Sequence, residues 1–173
     1  DADVAVLSLG SNSPEFPFLP QHYRELLEGE PDGVQLYRHV LHPRVPRLAF
    51  AGYNHGFLHV PAAEIGALWL GAVMRDDITL PSSEEMERSL SAVRGWKRDH
   101  VQFEPSRSCA VSTRFQQYID AMLLELKISR WRKMPNIFAE CFSRYGASDY
   151  ADVVDEYLAR EPQPRHAVLQ QDV

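Results

Sequence analysis

The sequence has few cysteines and no long apolar run. Only two of its 173 residues are cysteines, Cys109 and Cys141, which excludes a disulfide framework and favours a reducing compartment such as the cytoplasm. The longest apolar run, residues 65–74, has ten residues and includes two glycines, whereas a membrane-spanning helix needs about 20. We therefore predict no membrane span. A leader segment is not predicted either, because no basic stretch precedes an apolar run near residue 1.

Basic residues are also in deficit. The chain has 18 Lys and Arg against 24 Asp and Glu, which gives a formal net charge of −6. A nucleic-acid binder needs a basic surface to neutralise phosphates, so we expect no nucleic-acid partner. Two short basic clusters, residues 94–98 and 130–133, each contain a tryptophan that could stack on bases. In an acidic chain such clusters are more often solvated faces of helices.

Recognisable metal ligands and nucleophiles are scarce. The close histidine pairs are His39 with His42 and His55 with His59, but zinc takes about three to four protein ligands and no further ligands follow at suitable spacing. Neither cysteine stands beside a histidine that could act as its base. We therefore predict no metal site and assign no catalytic residue.

The apolar pattern predicts an α/β fold with short strands of parallel type followed by a mostly helical part. Residues 4–9, 34–41 and 48–52 are short apolar runs that end in turn residues, as strands of a parallel sheet do. The first of these runs begins almost at residue 1. We therefore expect the chain to be a piece of a longer protein.

Helical periodicity, caps and prolines predict several helices. Ser82, followed three residues later by Glu85, is a capping box that begins one of them. The others are expected at residues 22–28, 61–75, 111–126, 136–143 and 149–160. The chain then divides into an α/β part (residues 1–80), a helical part (81–160) and a disordered tail (161–173).

A glycine-rich phosphate loop is missing. The dinucleotide-binding fingerprint needs several closely spaced glycines between a strand and a helix, and the nearest approach is Gly52 with Gly56 before the helix at Pro61. This pair is too little for a pyrophosphate site. The N-terminus of that helix could still direct backbone N–H groups at an electron-rich ring. The residues alone therefore indicate an α/β piece with one candidate ligand site.

Short motifs follow one another in a fixed order between residues 3 and 157. Those of the first half are Asp3-Val4-Ala5-Val6-Leu7 before Gly10, Phe16-Pro17-Phe18-Leu19, Leu36-Tyr37-Arg38 with His42-Pro43, Pro46-Arg47-Leu48-Ala49-Phe50-Ala51-Gly52-Tyr53, and Pro61 with Glu64 and Trp69. Those of the second half are Leu80-Pro81-Ser82 with Glu85-Met86, Tyr118-Ile119-Asp120, Pro135-Asn136, and Phe138-Ala139-Glu140 with Phe142, Tyr145-Gly146 and Tyr150. In this order they resemble the C-terminal part of the flavin-containing monooxygenases, in the branch of plants, fungi and bacteria that has a long helical extension.

The resemblance implies a flavoprotein with two dinucleotide-binding domains, one for FAD and one for NADPH. In the family NADPH reduces FAD, O2 adds to give a C4a-hydroperoxyflavin, and a soft nitrogen or sulfur centre of a small-molecule substrate is oxygenated. Residues 1–80 would be the end of the NADPH domain and the closing strand and helix of the FAD domain. Residues 81–160 would be the helical extension.

The resemblance also implies cofactor-binding residues. Gly52, Asn54, Leu58 and His59 fall where family members contact the flavin. The N-terminal end of the helix at Pro61 would favour the reduced, anionic flavin ring.

A second set of candidates lies on the NADPH side. Ser8, Gly10 and Ser11 surround the position of the family's Thr-Gly-Tyr motif, which is Leu9-Gly10-Ser11 in this chain. The threonine and tyrosine are replaced, so NADPH binding could be altered.

Alternatives remain open at this point. Both glycine-rich fingerprints of the family would precede residue 1, so we expect the isolated chain to be inactive and to need the N-terminal part of the same protein as its partner. A non-catalytic remnant or interaction module on the same scaffold is one alternative. A Baeyer–Villiger type oxygenase is another.

Overall fold

The computed structural model describes residues 14–111 and 114–160. Its helices are α1 (Gln21–Glu28), α2 (His59–Met74), α3 (Ser83–His100), α4 (Phe115–Glu125), α5 (Ile137–Phe142) and α6 (Val153–Leu158). Short 3₁₀ helices lie at Arg107–Cys109 and Ala147–Tyr150. In these ranges no helix is long and apolar enough to cross a bilayer. The predicted strand at residues 4–9, the candidates Ser8, Gly10 and Ser11, and the tail 161–173 lie outside the described residues.

The predicted strand at residues 34–41 is not formed. Arg38 and His39 have positive φ angles of 52° and 55°, so the chain turns back on itself. Tyr37 and Leu41 then exchange both backbone hydrogen bonds, at 2.7 and 3.0 Å. An apolar run does not distinguish a buried strand from a buried turn, and this ambiguity explains the error.

The predicted strand at residues 48–52 is also absent. Ala49 forms one isolated bridge with Leu41, and the Phe50 N–H donates to the Val40 carbonyl at 2.9 Å. Within the described ranges all β-pairing consists of isolated bridges, the third of which joins His55 to Ala110 in parallel. This part of the chain is therefore helices joined by irregular segments, with the strands of the expected α/β fold unconfirmed.

Helix α2 is the centre of the main core. Ala62, Ile65, Trp69 and Ala72 recur at helical spacing and are at most 2% exposed. The predicted helix at Pro61 is confirmed, although it begins at His59. Proline is tolerated in the first turn because its missing N–H would have no intrahelical acceptor there.

The main core joins both parts of the chain. Helix α2 packs on α4, on α6 and on the 3₁₀ helix Ala147–Tyr150. The buried members from beyond residue 80 are Met86, Ile119, Met122, Leu123, Leu126, Ile128, Tyr150, Val153 and Tyr157. Residues on both sides of residue 80 therefore contribute to one core.

Helix α3 begins as the sequence predicts. The Glu85 N–H donates to Ser82 Oγ at 3.3 Å, and the Ser82 N–H donates to Glu85 Oε2 at 3.0 Å. These bonds satisfy amides that an α-helix leaves without partners. The hydrogen bonds that the Ser82 N–H and hydroxyl donate to the Glu85 carboxylate lower the pKa of Glu85. The capping box fixes where α3 enters the core through Met86 and Leu90.

A second, smaller core lies beside α1. Its buried residues are Phe16, Leu27, Val34 and Val45. The Phe16 N–H donates to Glu28 Oε1 at 2.7 Å, and this bond links the loop that contains Phe16 to the end of α1.

Candidate functional site

The loop that leads into α2 contains the candidate flavin residues. Gly52 has a φ of +73°, the left-handed region that favours glycine. A Cβ added there would lie 3.7 Å from the Ala63 Cβ, an ordinary contact. The backbone conformation, and not lack of space, therefore explains the glycine.

Asn54 is the most informative residue of this loop. It is 5% exposed, and its Oδ1 has no hydrogen-bond donor within the described ranges. A buried acceptor without a donor costs about 1–3 kcal/mol. Such an atom is suited to a ligand that brings an N–H or O–H group.

His59 holds the loop against the helix start. Its Nδ1 lies 2.5 Å from the Asn54 carbonyl oxygen, so the ring donates there from its Nδ1–H tautomer. The ring itself is exposed. The contact closes a short loop from Asn54 to the first residue of α2.

The start of α2 combines polar and apolar surface. Leu58 packs against the main core, and its carbonyl accepts the Ala62 N–H at 3.1 Å. The N–H groups of the first turn have no acceptor within the helix and form the positive end of its dipole. Phe57 and Val60, 98% and 64% exposed, flank this end. The arrangement could hold an electron-rich planar ring against an apolar edge.

Tyr118 borders Asn54 from α4. Burial raises the pKa of Tyr118 to about 12, although a hydrogen bond from Asn54 and the charge of Arg38 oppose this shift. Its hydroxyl donates to the Arg38 carbonyl at 3.3 Å. Tyr118 is therefore a neutral donor at neutral pH, and sequence reasoning had not assigned it to the site.

The histidine pairs do not form a metal centre. His39 Nδ1 lies 3.1 Å from the Tyr53 carbonyl, and His42 Nδ1 accepts the Arg44 N–H at 3.1 Å. Among the residues the structure describes, no group of three or more His, Cys, Asp or Glu side chains is placed to hold a metal ion.

Sequence reasoning also missed a buried lysine. The charge of residues 94–98 predicts a solvated face, but Lys97 is only 6% exposed. Met86, Leu90 and Val93 precede it at helical spacing, so it continues their stripe. This spacing was the available signal.

Comparison with curated proteins gives related sequences over most of the chain. The Arabidopsis thaliana protein named "Probable flavin-containing monooxygenase 1" is 30% identical over 152 residues, which are 87% of this chain and 28% of that protein. The chain is a flavin-containing monooxygenase homologue. "FAD-dependent monooxygenase DEP4" of Fusarium langsethiae is 31% identical over 146 residues, 80% of this chain and 25% of that protein. No protein-family model matches the chain.

The resemblance to flavin-containing monooxygenases is thus confirmed. FAD is the cofactor that the relatives' names support. The chain itself spans about a quarter of the length of these relatives.

The residues at the start of α2 fit part of an FAD molecule. The free acceptor of Asn54 suits an N–H of the flavin ring, and the first turn of α2 suits its electron-rich edge. A glycine-rich loop for the pyrophosphate is not found in the sequence. The fit therefore concerns the ring and not the whole dinucleotide.

Proposed function

We propose that this chain is the C-terminal part of an FAD- and NADPH-dependent monooxygenase that oxygenates soft nitrogen or sulfur centres of small molecules with O2. The names of its relatives support the flavin chemistry. The structural observation that carries the proposal is Asn54 Oδ1, buried without a donor in the loop where the resemblance predicts flavin contacts.

Each candidate residue has a separate task in this proposal. Asn54 accepts a hydrogen bond from the flavin ring, and Gly52 provides the turn that directs the loop towards α2. His59 fixes the loop through the Asn54 carbonyl, while Leu58 anchors the helix start in the core. Bound FAD, with electrons from NADPH, would supply the oxygen-activating chemistry. The chain's own contribution is to bind and orient the ring.

The proposal includes a partner and a second nucleotide. The isolated chain is inactive, because the sequence has no glycine-rich pyrophosphate loop, and a further part of the same protein supplies it. Ser8, Gly10 and Ser11 belong to the NADPH side. A cytoplasmic location is also part of the proposal, and the free thiols of Cys109 and Cys141 favour it.

The test compares the whole protein with the isolated chain. The whole protein should show the visible absorbance of bound flavin and should form an N-oxide or S-oxide with consumption of NADPH, whereas the isolated chain should do neither. A colourless whole protein that consumes no NADPH contradicts the proposal. Conversion of a ketone to an ester would instead indicate a Baeyer–Villiger oxygenase.

A docking role is the second candidate function of the chain, and the exposed apolar surface of α5 favours it. No residue of α5 is buried, and Ile137, Phe138 and Phe142 are 63%, 80% and 83% exposed. Exposed apolar patches of this kind mark interaction surfaces. We propose that a further part of the same protein binds to α5, since this chain spans only about a quarter of the length of its relatives.

Paired variants separate docking from catalysis. Phe138→Ser with Phe142→Ser should release the chain from the remainder of the protein, measured by pull-down of the two separately expressed parts. Asn54→Leu should leave that association unchanged. If the double variant binds the remainder of the protein as strongly as Asn54→Leu does, the docking role of α5 is contradicted.

A further inference from the structure

A cavity of about 150 Å³ lies between α3, α4 and the turn at residues 35–39. Its lining includes four cationic side chains, Arg38, Arg94, Lys97 and Arg114, and among the described residues that form it there is no Asp or Glu. The chain as a whole has a net charge of −6. The cavity is therefore a local concentration of positive charge in an acidic chain.

Two of these cations already have carboxylate partners. Arg38 pairs with Glu125 at 2.5 Å, and Arg94 pairs with Glu30 at 2.6 Å. Their charge is largely compensated within the protein. The excess charge of the cavity must come from the other two.

Lys97 and Arg114 bind neutral acceptors instead. Lys97 Nζ donates to the Ser108 carbonyl and lies 3.4 Å from His39 Nε2. Arg114 Nε donates to Gln117 Oε1 at 2.6 Å. In the described part of the chain neither cation forms an ion pair within 4.0 Å.

The buried end of the cavity is positive at neutral pH. Burial lowers the pKa of Lys97 to about 8, which leaves the amine mostly protonated. Burial and the Lys97 charge together lower the pKa of His39 to about 3, so the imidazole is neutral. A buried charge is costly unless it is paired. An anion in the cavity would offset this cost.

The remaining lining is largely apolar. Leu90, Val93, Val111 and the aromatic rings of Trp96 and Tyr118 contribute to it. A cavity of roughly 150 Å³ has room for a benzene-sized group. Pockets that combine apolar walls with a few fixed polar groups are typical of small-molecule sites.

We infer that this cavity binds a small organic carboxylate. The carboxylate pairs with Lys97 and Arg114, and the apolar body lies against Leu90 and Val93. A guanidinium can bind both oxygens of a carboxylate, which favours this head group. The site goes beyond the proposed flavin role, because the Asn54 loop and the start of α2 are not part of its lining.

Calorimetric titration of the whole protein tests this inference. The probes are benzoate and hexanoate, with benzyl alcohol and hexanol as uncharged counterparts of similar size. At least one carboxylate should bind saturably and about tenfold more tightly than its alcohol, and more weakly as salt is raised. Absence of saturable binding by either carboxylate, or equal affinity of acid and alcohol, would overturn the inference.

Charge variants locate the binding. Arg114→Gln and Lys97→Met should each weaken carboxylate binding about tenfold. Arg88→Gln, an exposed residue of α3 outside the lining, should have no effect. If Lys97→Met does not fold, the carboxylate affinity of Arg114→Gln still tests the assigned site, because Arg114 is only half-buried. An unchanged affinity in Arg114→Gln would overturn the assigned site.

Discussion

Trp69 on α2 donates a hydrogen bond from Nε1 to Oε2 of Glu125 on α4, at 2.6 Å. The other oxygen of this carboxylate accepts from Arg38 at 2.5 Å. Glu125 therefore ties the central helix and the turn at residues 37–41 to the helical part. This carboxylate adds a polar link to the apolar core that the two parts share.

Glu125→Gln should destabilise the protein by about 2 kcal/mol. The substitution removes the negative charge that pairs with Arg38. It also replaces one carboxylate oxygen by an NH2 group, so either Arg38 or Trp69 loses its hydrogen-bond acceptor. Chemical denaturation measures the change in the free energy of unfolding. Glu87→Gln is the matched control, because its pair with Arg44 is more exposed and should be worth less than about 1 kcal/mol. Equal losses in both variants would contradict this role of Glu125.

Asp32 should make the protein acid-sensitive. Its burial raises the pKa, but hydrogen bonds from Arg98 and Arg107 outweigh this and bring the pKa to about 2, from 3.8. A carboxyl with a lowered folded pKa stabilises the protein above its unfolded pKa, and this stability disappears as the pH falls through the folded pKa. The expected loss is about 2 kcal/mol between pH values of about 4 and 2.

Unfolding experiments across this pH range provide the check. In Asp32→Asn this part of the pH dependence should disappear, and stability near neutral pH should fall by about 3 kcal/mol because two arginines lose their partner. Asp99→Asn, an exposed change on α3, should retain the slope. A wild-type slope in Asp32→Asn would show that other groups cause it.

His39 should stay neutral well below neutral pH. Burial, followed by the charge of Lys97, lowers its pKa to about 3, and its Nδ1–H donates to Tyr53. Nitrogen chemical shifts should report one neutral tautomer throughout mildly acidic conditions. Lys97→Met should move the pKa of His39 upwards, because a neighbouring positive charge is removed. A histidine that titrates near its usual value in the wild-type protein would contradict the buried arrangement.

Asn54→Leu should not destabilise the protein in the absence of flavin. The variant removes an acceptor that is buried without a donor, and this gain offsets the loss of the hydrogen bond from Asn54 to Tyr118, so the free energy of unfolding should change by less than about 1 kcal/mol. Thermal or chemical unfolding gives the answer. His55→Gln, an exposed change in the same loop, serves as the control. A loss of more than about 2 kcal/mol in Asn54→Leu would mean that Oδ1 has a partner in the fold.

Local signals in the sequence predicted much of the helical structure. The capping box at Ser82 and the proline at the start of α2 act within one or two turns, so they can be recognised without knowledge of the fold. The turn at Arg38 and His39 could not be predicted, because its positive φ angles occur at residues other than glycine and depend on tertiary packing.

The candidate site divides in the same way. The resemblance predicts flavin contacts in the loop with Gly52 and Asn54, but nothing in the sequence shows that Asn54 Oδ1 is buried without a donor. The charge of Lys97 predicts exposure, whereas its place on the apolar stripe of α3 predicts burial, and the structure follows the stripe. Burial of a polar atom depends on residues far away in sequence, and pattern reasoning does not reach them.

The affinity of the whole protein for FAD, with and without Asn54, tests the central proposal most directly. Asn54→Leu should weaken FAD binding about tenfold, as expected when a buried hydrogen bond to the ligand is lost, while His55→Gln should bind FAD normally. The same affinity for FAD in wild-type protein and Asn54→Leu would contradict the assignment of this loop to the flavin.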